Sequence, residues 1–209
     1  KWGQNFLIDK NIAKLTVDAA NLTESDTVIE IGPGRGILTE FILRHKINKL
    51  IGIEIDPYLI KVLASKFPPN AHPNFELVYA DFLEFNFTKM SFPQTSSGNP
   101  VQDVSGSQRL IFISNLPYYI STPILEKILF SPDWSVAVLS FQKEVGERIL
   151  AAPGSKQYGV LTLQTRLFCK SVEKVTFVPA SCFDPEPEID SEVLKFTSTD
   201  IKYEPMFID

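Results

Sequence analysis

The stretch Thr27-Val28-Ile29-Glu30-Ile31-Gly32-Pro33-Gly34-Arg35-Gly36 decides the fold of this chain. Its first five residues are β-branched or apolar except for one glutamate, which is typical of a buried strand. Apolar residues then recur at helical spacing, at Ile37, Leu38, Phe41 and Ile42. The glycines permit a tight turn and let a ligand approach the free N–H groups of the helix N-terminus. The stretch therefore predicts a strand, a ligand-binding turn and a helix.

Similar units follow along the chain and define the fold class. Short runs rich in β-branched residues alternate with helical patterns, which indicates βαβ units around a mainly parallel sheet. Helices are predicted from the apolar stripe of Leu59, Leu63 and Phe67, and from Thr122-Pro123, a pair that favours a helix start. We predict an α/β, Rossmann-like domain with helices on both faces of a sheet of seven strands, at 27–31, 50–55, 75–80, 109–114, 135–141, 160–168 and 192–196.

Length and composition fit one globular domain. The 209 residues are 44% hydrophobic and 22% charged, which is enough to bury a substantial core. The polar segment 94–107 is predicted to be an exposed loop within this domain, because the strand pattern continues on both sides of it.

Charge and ligand-forming residues argue against some classes of function. The formal net charge of −5 and the pI of about 5.2 argue against a nucleic-acid binder, because Lys and Arg supply most contacts to phosphate backbones. Cys169 and Cys182 form no ligand cluster with His45 and His72, so we expect no metal site. Without a signal peptide or a run of about 18 apolar residues, the chain is expected to be cytoplasmic and free of membrane contact.

Two carboxylates follow the next two predicted strands. Glu54 ends the second strand, about twenty positions after Gly32, where a carboxylate can accept hydrogen bonds from ribose hydroxyls. Asp81 follows the third strand and could accept from an adenine amino group, with Phe82 as an apolar neighbour. Taken alone, Asp81 would be interpreted as a helix cap. In series with Gly32 and Glu54 it lies at the carboxyl edge of the parallel strands, where open α/β sheets bind ligands.

The spacing of the glycines bears on the kind of ligand. Gly32, Gly34 and Gly36 form a G-x-G-x-G pattern rather than the G-x-G-x-x-G pattern of dinucleotide-binding turns. This spacing favours the methionine part of S-adenosylmethionine over a pyrophosphate. Together with Glu54 and Asp81, it makes S-adenosylmethionine the predicted cofactor.

The most informative motif is Asn115-Leu116-Pro117-Tyr118, directly after the fourth predicted strand. An aromatic amine is a poor nucleophile because its lone pair is delocalised into the ring. The Asn115 side-chain oxygen and the Leu116 carbonyl could accept both amine hydrogens, so that the nitrogen becomes pyramidal. Pro117 would fix the turn and Tyr118 would stack on the base. The alternative, a proline turn with Tyr118 as ordinary packing, is the weaker interpretation beside the three upstream motifs.

These motifs together resemble the ribosomal RNA adenine dimethyltransferase family, whose relatives include the methylases that confer macrolide resistance. The resemblance covers nearly the whole chain and implies the class I fold of S-adenosylmethionine-dependent methyltransferases. Its most specific parts are the opening motif Gly3-Gln4-Asn5-Phe6-Leu7, the stretch Asn115-Leu116-Pro117-Tyr118-Tyr119-Ile120-Ser121-Thr122-Pro123, and the closing motif Phe183-x-Pro185-x-Pro187-x-Ile189-Asp190-Ser191.

The resemblance also implies roles for individual residues. It implies cofactor contacts from Asn5 and Leu7, which composition and spacing could not indicate, besides those from the turn and the strand ends. It implies that Asn115, Leu116 and Tyr118 hold the target base and that Phe183 stacks on the other face of the base. A base drawn out of its stack needs such aromatic surfaces to replace its neighbours.

The implied substrate is ribosomal RNA in the small ribosomal subunit or its precursor. The sequence Asn-Leu-Pro-Tyr followed by Ile-Ser-Thr-Pro resembles the small-subunit dimethyltransferases more than the resistance enzymes. The family transfers two methyl groups to each target adenosine, usually to neighbouring adenosines in a terminal hairpin loop. Unpaired bases of this kind are cheaper to extrude than bases in a duplex. We expect the chain to act as a monomer.

Three features depart from the family pattern. The family's small C-terminal helical domain is expected to be absent or truncated, so that 1–209 is a single methyltransferase domain. Asp184, Glu186 and Glu188 lie within the closing motif, where relatives tend to be neutral or basic, and would repel nearby phosphates. The chain opens at Lys1-Trp2 without the basic leader that is common in the family.

Three other functions stay open from the sequence. The first is a ribosome-assembly or RNA-binding factor that retains the fold without needing catalysis. The second is a large-subunit ribosomal RNA adenine methylase. The third, a DNA adenine methyltransferase, fits the opening and closing motifs least well.

Overall fold

Strands and helices alternate along the chain, as the sequence predicts. The computed structural model describes residues 4–87, 109–131 and 133–199, and the predicted loop at 94–107 lies outside them. The strands are β1 (Phe6–Leu7), β2 (Thr27–Ile31), β3 (Lys49–Glu54), β4 (Phe75–Tyr79), β5 (Leu110–Asn115), β6 (Trp134–Gln142), β7 (Cys169–Val178), β8 (Phe183–Asp184) and β9 (Ser191–Ser198). The helices are α1 (Lys10–Asp18), α2 (Ile37–Ile42), α3 (Pro57–Lys66), α4 (Ser121–Leu129), α5 (Lys143–Ile149) and α6 (Val160–Phe168).

Seven strands form one sheet in the order β4-β3-β2-β5-β6-β9-β7. The first five are parallel to one another, whereas β9 runs antiparallel to both β6 and β7. The prediction of a seven-stranded, mainly parallel sheet is therefore confirmed. The strand β2 lies in the interior of the sheet, between β3 and β5, and is buried along its whole length, because helices cover both faces of the sheet.

The two faces of the sheet bury two separate cores. On one face, Ile29 and Phe112 pack with the apolar sides of α4 and α6. On the other face, Val28 and Ile111 pack with α1 and α2. Neighbouring residues of one strand enter different cores because side chains alternate across a strand. Within the described parts of the chain, no helix has the length and apolar character needed to cross a membrane.

The predicted strand at 160–168 is wrong, because this segment forms the helix α6. Its opening Val-Leu-Thr-Leu mimics the alternation of a strand, but the buried positions are Leu161, Thr162 and Thr165, which share one helical face. The Thr165 hydroxyl donates to the Leu161 carbonyl one turn earlier at 3.1 Å, so a buried polar side chain is satisfied inside the helix. The seventh strand is instead β7, an edge strand whose Lys and Glu residues are exposed.

A second, small sheet was not predicted. In it β1 pairs antiparallel with β8, through Phe6 opposite Asp184 and Leu7 opposite Phe183. The helix α1 follows directly, and its N-cap Asp9 accepts hydrogen bonds from the backbone N–H groups of Asn11 and Ile12 at 2.8 and 3.0 Å. The opening and closing motifs are therefore joined in space.

Candidate active site

A cleft runs along the carboxyl edge of the parallel strands. The ends of β2, β3 and β5 form its floor, and the segment that carries β1 forms one wall. Residues from every predicted motif except the closing one reach it, namely Asn5, Leu7, Gly32, Glu54, Asp81 and Asn115. Open α/β sheets bind their ligands at this edge, since the loops diverge there.

The glycine turn contributes backbone rather than side chains. Gly32 and Gly34 line the cleft and have positive φ angles of 61° and 60°, which glycine adopts without strain. A Cβ atom on Gly34 would lie 3.1 Å from the Phe6 ring. Gly36 does not line the cleft: its φ is 77°, and a Cβ atom there would lie 2.7 Å from the Phe67 ring. The close packing at this position explains why the residue is a glycine. A cofactor contact from Gly36 stays a prediction.

Glu54 holds the turn and the strand end together. Its Oε2 accepts a hydrogen bond from the Gly34 N–H at 3.0 Å, and its Oε1 accepts from the N–H groups of Ile55 and Asp56 at 3.0 Å each. The side chain lines the cleft, although the residue is only 3% exposed. Burial raises the pKa of Glu54, and the three backbone hydrogen bonds oppose that rise. A carboxylate offers about four lone-pair positions, so it can accept further hydrogen bonds from ligand hydroxyls.

Asp81 and Phe82 lie beyond the end of β4, next to Glu54 in the cleft. The Asp81 Oδ1 accepts from the Leu83 N–H at 2.8 Å, which fixes the carboxylate in a turn. Phe82 is 5% exposed and belongs to an aromatic cluster, with its ring centroid 5.7 Å from that of Phe87 and 6.1 Å from that of Phe112. Asp81 thus stabilises a turn, as a cap would, and also borders the cleft.

The Asn115 side chain is held from two sides. Its Oδ1 accepts a hydrogen bond from the Ser140 hydroxyl at 2.7 Å, and its Nδ2 donates to the Asn5 carbonyl at 3.3 Å. Leu116 is buried, and Pro117 is extended, with φ of −61° and ψ of 124°, before the short 3-10 turn Tyr118–Ile120. The four residues of the motif all line the cleft.

The Tyr118 hydroxyl forms a hydrogen bond with a buried serine hydroxyl. The Tyr118 hydroxyl and the Ser191 hydroxyl lie 2.8 Å apart, and Ser191 is fully buried. Burial raises the pKa of Tyr118, and the hydrogen bond to Ser191 opposes that rise. The Tyr118 ring meets the Phe183 ring edge to face, with centroids 6.5 Å apart.

Phe183 lies behind the cleft rather than in its lining. The residue is 3% exposed and borders a small, mainly apolar cavity together with Leu7, Ser140 and Val193. Phe183 therefore supports Tyr118 in this arrangement, and its stacking on a target base stays a prediction.

The opening motif reaches the cleft through β1. Asn5 and Leu7 line the cleft, and the Asn5 side-chain Nδ2 donates to the Pro185 carbonyl at 2.6 Å. The pairing of Phe6 with Asp184 and of Leu7 with Phe183 holds this segment against the closing motif. The structure thus brings together two residues that only the resemblance indicated.

A family model described as ribosomal RNA adenine dimethylase matches residues 1–206. This chain belongs to that family. Among curated relatives of this chain, a ribosomal RNA small subunit methyltransferase A from Shouchella clausii is 42% identical over 197 residues. The match covers 93% of this chain and 62% of the relative, so the chain spans less than two thirds of that relative's length.

Solved structures resemble this chain in fold. A dimethyladenosine transferase from Plasmodium falciparum superposes with a TM-score of 0.78 at 33% identity, over 93% of this chain and 64% of that one. The 23S rRNA methyltransferase ErmE gives a TM-score of 0.71 at 28% identity, over 94% of this chain and 70% of that one. The expected class I fold of S-adenosylmethionine-dependent methyltransferases is thereby confirmed.

Three groups at this site were not predicted from the sequence. Arg35 lines the cleft, with its guanidinium 2.7 Å from the Asp184 carboxylate and 4.4 Å from the centre of the Phe6 ring. Asp184, expected to repel phosphates, is thus paired with a cation. The supports Ser140 and Ser191 lie on β6 and β9, and only the strand register could have placed them beside Asn115 and Tyr118.

Glu30, in the stretch that decides the fold, is a buried acid on β2 that does not line the cleft. It is 1% exposed, and its Oε2 accepts from the Thr39 hydroxyl at 2.7 Å, while Oε1 has no partner within the described residues. Burial raises the pKa of Glu30 to about 8. In the described parts of the chain, no three His, Cys, Asp or Glu residues gather as metal ligands would.

Proposed function

We propose that this chain uses S-adenosylmethionine to dimethylate the exocyclic amino groups of adenosines in small-subunit ribosomal RNA. The observation that carries the proposal is the position of Asn115-Leu116-Pro117-Tyr118, which shares one cleft with Glu54 and Asp81. Family membership supports the chemistry. The names of relatives at 34–42% identity support the small subunit over the large one as the source of the RNA.

The cleft suits the proposed cofactor on chemical grounds. Glu54 offers a buried carboxylate for ribose hydroxyls, Asp81 offers an acceptor for an adenine amino group, and Phe82 and Ile53 offer apolar surface between them. The Gly32 and Gly34 backbone allows close approach. When bound, S-adenosylmethionine supplies a methyl group on a positively charged sulfur, which is the electrophile of the reaction.

The proposed role of Asn115 is to accept a hydrogen from the target amine. Its Oδ1 already accepts from Ser140 and keeps a second lone pair, since an amide oxygen has two. Accepting amine hydrogens at Asn115 Oδ1 and at the Leu116 carbonyl removes the nitrogen lone pair from conjugation with the ring. The gain comes from position and from fixed hydrogen-bond acceptors.

No side chain of the motif needs to act as a base. Burial keeps the Tyr118 hydroxyl protonated at neutral pH, because it raises the pKa of this group. An amine that has been alkylated becomes acidic and can lose its proton to water. Tyr118 is therefore assigned to stacking on the base, and Tyr119, which is 59% exposed at the same cleft, offers a second aromatic surface to a flipped nucleotide.

Two further expectations belong to this proposal. The chain would act as a monomeric single catalytic domain in the cytoplasm, on the small ribosomal subunit or its precursor. The pairing of Asp184 with Arg35 supports such contact, because it removes one uncompensated negative charge from the rim of the cleft.

The first experiment is isothermal titration of the chain with S-adenosylmethionine, followed by methyl transfer to immature small subunits. We expect Asn115→Ala to bind the cofactor within a fewfold of the unmodified chain and to lose at least about a hundredfold in transfer, since it removes one amine acceptor. Glu54→Ala is the matched control for cofactor binding and should lose that binding. Full turnover by Asn115→Ala would refute the assignment of the motif, and a complete lack of binding by the unmodified chain would refute the cofactor.

A further inference from the structure

The polar atoms of the Asn115-Leu116-Pro117-Tyr118 motif rest on two buried serines from other strands. Ser140 lies on β6 and is 3% exposed, and Ser191 begins β9 and is fully buried. Neither serine lines the cleft itself. They contact the motif from behind, where a side chain can orient a reacting group without touching a substrate.

The strand register explains why both serines face the motif. Asn115 pairs with Ser140 across the parallel strands β5 and β6. Gln142 pairs with Ser191 across β6 and β9. Side chains two residues apart project from the same face of a strand, so Ser140 and Gln142 share a face. Ser191 shares that face too, because directly paired residues of neighbouring strands project to the same side of the sheet. The neighbouring strands β6 and β9 thus present the Ser140 and Ser191 hydroxyls to the motif from the same face of the sheet.

The hydrogen bonds of Ser140 determine the orientation of the Asn115 amide. The Ser140 Oγ accepts from the Leu116 N–H at 3.1 Å and donates its single hydrogen to Asn115 Oδ1 at 2.7 Å. On the other side, the Asn5 carbonyl can only accept, so it requires the Nδ2 end of the amide at 3.3 Å. A flipped amide would place two oxygens against each other at Asn5. Oδ1 is therefore held at Ser140, with its second lone pair available.

Ser191 plays the corresponding part for Tyr118. Its hydroxyl lies 2.8 Å from the Tyr118 hydroxyl, and the Phe183 ring meets the Tyr118 ring edge on. The far end of the ring is thus anchored by a hydrogen bond and its side by an aromatic contact. Together these contacts fix the plane of the ring that borders the cleft.

The geometry points to Ser140 and Ser191 as positioning residues of the methyl transfer, which orient the Asn115 amide and the Tyr118 ring. This inference rests on the proposed function for its kinetic consequence. The orientation itself is a property of the chain and can be measured separately. A misplaced acceptor or stacking ring slows the reaction of a bound substrate, so kcat should respond more than KM.

The decisive comparison is between Ser140→Thr and Ser140→Val. Threonine and valine have nearly the same shape, and the cavity beside Ser140 and Val193 offers space for the added methyl group. Only threonine keeps the hydroxyl. We expect Ser140→Val to lose about tenfold to a hundredfold in kcat with cofactor affinity unchanged, and Ser140→Thr to recover most of that loss. Equal kcat values for the two variants would overturn the inference.

Ser114→Ala is the matched control for removing a buried hydroxyl. Ser114 is fully buried on β5 beside Asn115, but its hydroxyl donates to the Ile31 carbonyl at 2.5 Å instead of to the motif. This variant should lose stability much as a Ser140 variant does while keeping kcat within about twofold. A kcat loss in Ser114→Ala as large as that in Ser140→Val would assign the effect to general loosening of the sheet and overturn the inference.

A second measurement separates this inference from the proposed function. In chain labelled with ¹⁵N-asparagine, hydrogen exchange of the Asn115 side-chain amide reports its anchoring without any turnover. We expect exchange to accelerate about tenfold or more in Ser140→Val and to stay near the original rate in Ser140→Thr. If the unmodified chain transfers no methyl group but this contrast is found, the proposed function fails and the positioning role stands. If the two variants exchange alike, the positioning role fails whatever the activity.

Ser191 is tested by a double-mutant cycle with Tyr118. Ser191→Ala and Tyr118→Phe each remove one partner of the same hydrogen bond. If that bond orients the ring, the double variant should be little slower in kcat than the worse single variant. Fully multiplicative losses would show that Ser191 does not act through Tyr118.

Discussion

At the scale of single residues, Glu30 makes the stability of the domain depend on pH. The folded-state pKa of about 8 lies above the ordinary value of 4.5, so the folded protein binds more protons than the unfolded chain between these values. The stabilising contribution of the protonated group is fully present below pH 4.5 and is lost as pH rises through about 8. Burial is the physical cause, and no donor to Oε1 within the described residues offsets it.

Glu30→Gln should therefore flatten the pH dependence of stability. Glutamine is neutral at every pH, so the variant should be spared a loss of about 2 kcal/mol that the unmodified chain suffers between pH 6 and pH 8. Urea unfolding at the two pH values measures this difference. Glu24→Gln, at a side chain that is 77% exposed, is the control and should behave like the unmodified chain. A Glu30→Gln variant with the original slope would contradict this account.

The sequence predicted the residues that line the cleft better than it predicted the buried residues that hold them in place. Glu54, Asp81 and Asn115 could be proposed because each lies at or just after the end of a predicted strand, and parallel strands end at one edge. Ser140 and Ser191 are single serines in buried strands, and a sequence does not reveal which residue lies opposite in the next strand. The orientation of Phe183 depends on the same unknown packing.

At the scale of elements, the start of α2 depends on Gly36. Its positive φ of 77° places the first turn of the helix, and a Cβ atom would lie 2.7 Å from the Phe67 ring and 2.9 Å from Leu63, both of which are buried. Gly36→Ala should therefore cost about 2–5 kcal/mol of unfolding free energy, from backbone strain and overpacking together.

The control for Gly36→Ala is Gly154→Ala. Gly154 also has a positive φ, of 85°, but a Cβ atom there meets nothing within 4 Å. It should cost only about 1 kcal/mol, from the strain alone. Thermal or urea unfolding of both variants separates the cost of backbone strain from the cost of overpacking. Equal losses of unfolding free energy would mean that the side chains around Gly36 rearrange without a measurable cost.

The strands and helices with buried apolar faces could be predicted from the sequence, whereas the edge strand β7 could not. Strand β2 was placed at its observed bounds, because a strand covered on both faces is almost wholly apolar. Strand β7 lies at the edge of the sheet and carries many charged residues, while α6 begins with β-branched and alternating residues. In both β7 and α6 the local sequence pattern disagrees with the position of the segment in the fold, and the position in the fold determined the secondary structure.

At the scale of the whole molecule, cofactor binding should stabilise the entire domain, because the cleft joins the ends of three strands and the segment that carries β1. At a hundred times its dissociation constant, S-adenosylmethionine should add about 2.7 kcal/mol, which raises the melting temperature by about 5–10 °C in a domain of this size. Differential scanning fluorimetry measures the shift.

Two variants sharpen this prediction. Glu54→Ala should melt at the same temperature with and without the cofactor. Glu76→Ala removes an exposed carboxylate on β4 that pairs with Lys49, and it should keep the full shift. A shift retained by Glu54→Ala would show that Glu54 makes no contact with the cofactor.

The pairing of β1 with β8 has a consequence for the order in which the site is completed. Asn5 and Leu7 are synthesised before their partners Pro185 and Phe183, which are added about 180 residues later. One wall of the cleft therefore has nothing to pair with while most of the chain is being translated. A nascent chain cannot hold its cofactor in the finished arrangement until the closing motif has left the ribosome, so translation itself sets the moment at which the cleft becomes complete.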